Sequence, residues 1–555
     1  MTRGVMLIAA LLVVGATSAP AFAQRANRSG RANVRVEEHY QRGLSLLARG
    51  DARNAEAEFR AALAANPKHA KAYRGLGLAL EQLGDVAGSA DALRHAVELA
   101  PADAGTHVAL GIALQRVGDA AGSEVELREA LRLDASIPEA HFYLGFLLGT
   151  KSMLADAATE FRAAIALRPD YGEAHYYLGT ALWFSNDAAG AAAALRTAAR
   201  LMPRDANARY YNGLALRKTG DSDGGLVELR AAVELAPNRA DARFALGQAL
   251  REAGDLEGAI EQLRAATTAD ARFAPAYNEL GLALVEHREP DKATEVFRAA
   301  IALDPSNVVA HHNLGMALIQ KSDYAAAVEE YRTLTSLTPD NAEAHYNLGL
   351  ALKYRDDLAG AVVELQTALR LQPSLREAHY VLGVILMQQS NLDGAASSFR
   401  EALAVKPDDA ESLYALGTVL QQQGKFEESV AALRAALKVS PDAPEVHNAL
   451  GTALRQTGDM DGARAELQEA ARLNRVKSDR QGAVFATNTG AAKLEQGDVD
   501  GALESLETAV RLDAANPQAH YQLARALLRK GRTADANAAY ETAKRLDPHV
   551  KPLIP

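Results

Sequence analysis

The chain has 555 residues and not one cysteine. That excludes disulfides and a lipid anchor carried on cysteine. Aromatic residues are scarce, at 5% with a single tryptophan. Two catalytic signatures are missing as well: there is no phosphate-binding G-x-x-x-x-G-K-S/T and no H-E-x-x-H. Basic charge does not dominate, because the formal net charge is −10. A nucleic-acid footprint is therefore not expected. Long apolar runs are absent too. The one candidate, Val5 to Val14, is shorter than the roughly 20 residues that span a bilayer.

That short run sits in Met1 to Ala23, after Arg3 and before Ala21-Phe22-Ala23. This order predicts a signal peptide cleaved before Gln24, leaving no stable membrane anchor. The expected location is a bacterial periplasm or the exterior. Residues 24 to 35 carry Arg25, Arg28, Arg31 and Arg35 without an apolar period. They are expected to form a disordered basic arm.

The rest is repetition. The stretch Ala342 to Leu375 predicts a helix over about Ala342 to Tyr354 and another over Leu358 to Leu371. Pro373 ends the second, since proline offers no N–H to continue it. The pattern returns every 34 residues, with its glycine at Gly43, Gly77 and onward to Gly451 without a slip. After five extra residues it resumes at Gly490 and then at Ala524. Residues 36 to 477 hold thirteen units and 478 to 550 two more, followed by a tail over 551 to 555. Two small positions have a steric role. Gly349 and Ala361 let the paired helices approach, and the position of Ala368 packs on the next unit.

A 34-residue, two-helix period with these small residues resembles the tetratricopeptide repeat family. The resemblance implies an all-α fold, a right-handed superhelical α-solenoid of helix-turn-helix tetratricopeptide repeats. It also implies a groove lined by first helices. Where the family places tryptophan, this chain usually has histidine, as at His107, His141, His311, His345 and His447. These histidines lie one unit apart and cannot share an ion that holds its nitrogens at about 2.0–2.1 Å. No metal and no cofactor is expected. Half-burial should lower their pKa, making the fold acid-sensitive. Acidic residues such as Glu139, Glu343 and Glu377 recur at the second position of the units, where they suit the helix dipole.

The segment Asn474 to Gly482, NRVKSDRQG, lacks the usual proline. It is expected to be either a hinge that tilts the last two units or a longer loop that leaves the stack unbroken. In the last unit Lys544 replaces an apolar residue and is expected to act as a cap.

The function expected is a non-enzymatic exported scaffold that binds a protein or peptide in its groove. The alternatives are a glycan-binding subunit of an envelope polysaccharide-export or cell-wall machine, and a regulatory partner of a separate enzyme. Aromatics concentrate in units four to six, with 11 of the chain's 30 between Phe142 and Tyr211. The candidate contact residues there are Phe142, Tyr143, Phe146, Tyr176, Tyr177, Trp183, Phe184, Tyr210 and Tyr211. Arg217, Lys218 and Arg251 are expected to supply a polar rim. Local packing of the aromatics against one another is the competing expectation.

Overall fold

The computed structural model describes residues 28 to 553, with side chains from residue 34. The signal peptide reading of Met1 to Ala23 lies outside the described residues. Within them are 29 α-helices and no strand. They fall into two compact units divided after Asp304. Each unit is a stack of antiparallel helix pairs, and successive pairs pack against one another.

Every pair is built alike. In the repeat that opens at Ala342, the helices span Ala342–Tyr354 and Leu358–Leu371, as the periodicity predicts. Asn341 caps the first by accepting from the N–H groups of Glu343 and Ala344. Asp357 caps the second by accepting from Gly360 N–H. Each cap satisfies donors that the helix itself leaves open. The turn between the helices needs one residue at positive φ. Nine glycines and six other residues supply it, including Arg288 at φ 63°. The close approach is steric, as expected. A Cβ on Gly349 would stand 2.9 Å from Leu365, and one on Gly383 2.7 Å from the Phe399 ring. Phe399, Ala361 and Ala368 are fully buried.

The repeated histidine is a clamp, and at His141 and His447 this corrects the expected pKa. In six repeats its Nδ1 lies 2.5–2.7 Å from a glutamate 19 residues on, in the second helix of the same repeat. In five of the six, Nε2 also meets the carbonyl oxygen six residues back, at the end of the preceding repeat. His107 shows both, with Glu126 at 2.6 Å and Pro101 at 2.9 Å. Two acceptors favour the doubly protonated ring. Glu160 raises the pKa of His141, outweighing its burial, with help from the Ala135 carbonyl. Burial opposes the charge on His447, but Pro441 and Glu466 together prevail and its pKa is raised. The expectation of lowered values weighed burial and missed the acceptors.

Two further expectations are corrected. The first helix, α1 (Arg28–Ala48), begins inside the arm expected to be disordered. A helix nucleated by packed residues extends cheaply into the preceding chain. Asn474 to Gly482 is neither hinge nor loop. It lies within one helix of 36 residues, α26 (Met460–Glu495). This helix serves as the second helix of repeat thirteen and the first of repeat fourteen. Its first half packs Leu467 beside Gly451 of α25 (Pro444–Thr457), and its second half packs Gly490 beside Leu506 of α27 (Val499–Leu512). Arg475 stands where eleven repeats have proline, so nothing breaks the hydrogen-bond ladder. At the far end Lys544 is exposed, and Leu553 of the tail packs against the last repeats.

Candidate binding surface

Repeats four to six lie in the first compact unit. Their first helices are α7 (Pro138–Thr150), α9 (Gly172–Phe184) and α11 (Ala206–Lys218). The second helix of repeat four is α8 (Leu154–Leu167).

Most of the aromatic excess packs on itself. Phe142 is buried and belongs to the core, which corrects its reading as a contact residue. Its ring meets Tyr143, Phe161, Tyr171 and Tyr177 with centroids 4.9–5.9 Å apart. Half-buried rings continue the chain: Phe146 with Tyr177, Tyr176 with Tyr177 and Tyr211, and Tyr210 with Tyr211. Such tilted and edge contacts add to the area they bury. Burial pushes the Tyr143, Tyr176 and Tyr177 phenols up. Burial, with Asp241 adding, pushes Tyr210 up to about 12. All four rings are therefore neutral near pH 7.

The exception is Phe184. It closes the chain by touching Tyr211 at 6.1 Å yet is 64% exposed. It stands at the mouth of a recess of about 210 Å³ between α7 and α9. Phe146, Leu154, Phe161, Tyr177 and Ala181 form the walls. Leu154, Thr150 and Thr180 of this recess were missed by sequence reasoning. They come from ordinary repeat positions, and only the packing of α8 beneath α7 brings them together.

The expected polar rim is divided. Lys218 lies over the Trp183 ring at 5.4 Å and donates to Asn186 Oδ1 at 2.6 Å. Trp183 is half-buried. Arg217 turns away to Glu252 at 2.8 Å. Arg251 binds Glu279 at 2.6 Å and Glu286 at 2.7 Å. Arg217 and Arg251 thus tie each repeat to the next, and neither borders the recess. The Trp183–Lys218 contact takes the place of such an ion pair between repeats five and six. A cation engaged by an acid one repeat on could have been foreseen from the 35-residue spacing shared by Arg217–Glu252 and Arg251–Glu286.

Acidic helix starts are also engaged. Glu139 is buried and paired with Arg168, and Glu377 pairs with Arg376 at 3.0 Å.

Comparison with known proteins follows the same lines. A family model described as "Tetratricopeptide repeat" matches residues 40–104, 152–206, 178–240, 212–276, 244–308, 346–410, 414–476 and 488–550. A model described as "TPR repeat" matches 315–354, and another tetratricopeptide model matches 296–329. No curated protein matches the chain. Solved structures that resemble it include MamA 41-end from Desulfovibrio magneticus RS-1. That match has 22% identity, covers 31% of this chain and 96% of that one, and has a TM-score of 0.30. The APC/C hetero-tetramer Cut9–Hcn1 matches at 15% identity, over 77% and 98%, with a TM-score of 0.36. Naa15/Naa10 bound to HypK-THB matches at 14% identity, over 93% and 94%, with a TM-score of 0.29.

Proposed function

Since the chain belongs to the tetratricopeptide repeat family, we propose that it is a non-enzymatic, exported scaffold holding an extended, apolar segment of a protein partner. The fold is consistent with protein–protein interaction. The observation that carries the finer reading is Phe184, a large apolar side chain left open beside a recess walled by apolar groups. An apolar side chain of the partner would enter the recess and pack on Phe184. Lys218, over Trp183, would supply the polar edge. Well-packed aromatic anchors commonly cost about 2 kcal/mol or more on truncation.

The test is affinity capture from envelope extract, followed by calorimetry with the captured partner. Phe184→Ala should weaken binding by about 30-fold, the equivalent of about 2 kcal/mol. Helical content should be unchanged, since the side chain is open. Full affinity in a folded Phe184→Ala variant would move the contact elsewhere. Retention on polysaccharide, with no protein captured, would replace the peptide reading with a glycan. Export rests on Met1 to Ala23 and is tested by the amino terminus of the mature chain, expected at Gln24.

A further inference from the structure

The repeats provide their own standard for what a buried junction looks like. At each ordinary junction within the two units the second helix of one repeat packs against the first helix of the next. Three positions record this. The residue equivalent to Leu467 is at most 2% exposed in repeats one to twelve. The residues equivalent to Phe485 and Ala492 are at most 5% exposed in repeats two to thirteen and in fifteen.

At α26 all three are uncovered. Leu467 is half-open, as is its equivalent Tyr540 in the last repeat. Phe485 is 75% exposed and Ala492 is exposed, as are their equivalents Glu38 and Ser45 in the first repeat. Repeat thirteen therefore looks like an end and repeat fourteen like a beginning. The fused helix holds apart two faces that elsewhere cover one another.

Both faces lie on one side of the rod. Met460, Leu467, Ala471, Ser478, Phe485 and Ala492 are spaced by four or seven residues, which is one stripe of a helix. Met460, Ala471, Ser478, Phe485 and Ala492 are exposed, and Leu467 rests its inner side on Gly451 of α25 while its outer side stays open. The halves of the stripe are complementary about their middle. At ordinary junctions the positions of Ala471 and Phe485 meet, as Ala199 meets Ala208 and Leu131 meets Ala140. Two copies of α26 laid antiparallel, with Ser478 beside Ser478, set Ala471 opposite Phe485 and Leu467 opposite Thr489. The same ordinary pairing is thereby made twice. A hollow of about 330 Å³, with Met460, Ala463, Leu467 and Ala471 as its apolar wall and Arg455, Arg464 and Gln468 around them, lies where the Phe485 ring of the other copy would enter.

We propose that this stripe is an interface with a second copy of this chain. It forms a two-fold dimer in which each repeat thirteen is covered by the other chain's repeat fourteen. Such a contact is self-complementary and closes, as a two-fold interface must.

The chain has no cysteine, so a single engineered one reports cleanly. In the full-length mature protein, Ser478→Cys should form a chain-to-chain disulfide on mild oxidation. Arg480→Cys, on the opposite side of the same helix, should not. Light scattering should give twice the chain mass for the parent. Phe485→Asp should give the single mass with unchanged helicity, because the side chain it replaces is open. A monomeric parent with no Ser478→Cys cross-link would overturn the proposal, meaning that the faces close within one chain or take another protein. Equal cross-linking at Arg480→Cys would also overturn it, since contact would then be nonspecific.

Discussion

The histidine clamps predict that the fold is steadier in mild acid than in mild alkali. His141 and His447 are the two whose raised pKa values follow from their acceptors. Replacing both by glutamine keeps a donor for the glutamate and removes the charge. A hydrogen bond to a charged group contributes about 1.5–3 kcal/mol. Side chains 15% and 22% exposed, as at His141 and Glu160, keep some solvent screening. About 1 kcal/mol per clamp is the reasonable figure, or about 2 kcal/mol for the pair. The sign follows from linkage. A group with a raised folded pKa contributes fully below its unfolded value, about 6.5 for histidine. The contribution is lost as pH rises through the folded value. Thermal unfolding followed by circular dichroism, between about pH 5.5 and about pH 8.5, compares parent with double variant. The gap between their midpoints should be widest at the acid end and narrow above about pH 6.5. A gap that is constant, or that widens with pH, would refute the reasoning.

Other substitutions test the packing. Gly383→Ala places a Cβ 2.7 Å from the fully buried Phe399 ring. It should cost about 1–3 kcal/mol, read as a lowered melting midpoint. Arg288→Gly relieves a side chain held at φ 63° and should stabilise by about 0.5–1 kcal/mol, read the same way. Lys218→Ala removes the cation over Trp183. It should cost about 0.5–1 kcal/mol of stability and shift the tryptophan emission, the only such signal in the chain.

The regular part of the fold was legible because its causes are local. Glycine at Gly349, alanine at Ala361 and the cap at Asp357 each answer a steric or hydrogen-bonding need within one repeat. The clamp was harder to read. Its histidine was visible, but its glutamate lies 19 residues away on another helix. Every glutamate at that second position faces a basic partner, as Arg209 does with Glu228 at 2.9 Å, and this pairing was the available signal. The segment Asn474 to Gly482 read as an interruption, yet helix continuity only needs the absence of proline and of a competing cap. The aromatic excess was a true signal of clustering. Which ring stayed open depended on neighbours three helices deep, and only Phe184 did.

The fused helix also turns length into angle. A residue in a helix advances the chain by about 1.5 Å and rotates it by about 100°. Between repeats joined by a loop, an added residue is absorbed by slack. Along α26 there is no slack, so one residue added or lost near Ser478 would swing repeats fourteen and fifteen by more than a quarter turn about the rod. Their internal packing would not change. The number of residues from Met460 to Glu495 therefore acts as a setting for where the final two repeats face, and a deletion of seven would nearly restore the original bearing while shortening the rod by about 10.5 Å.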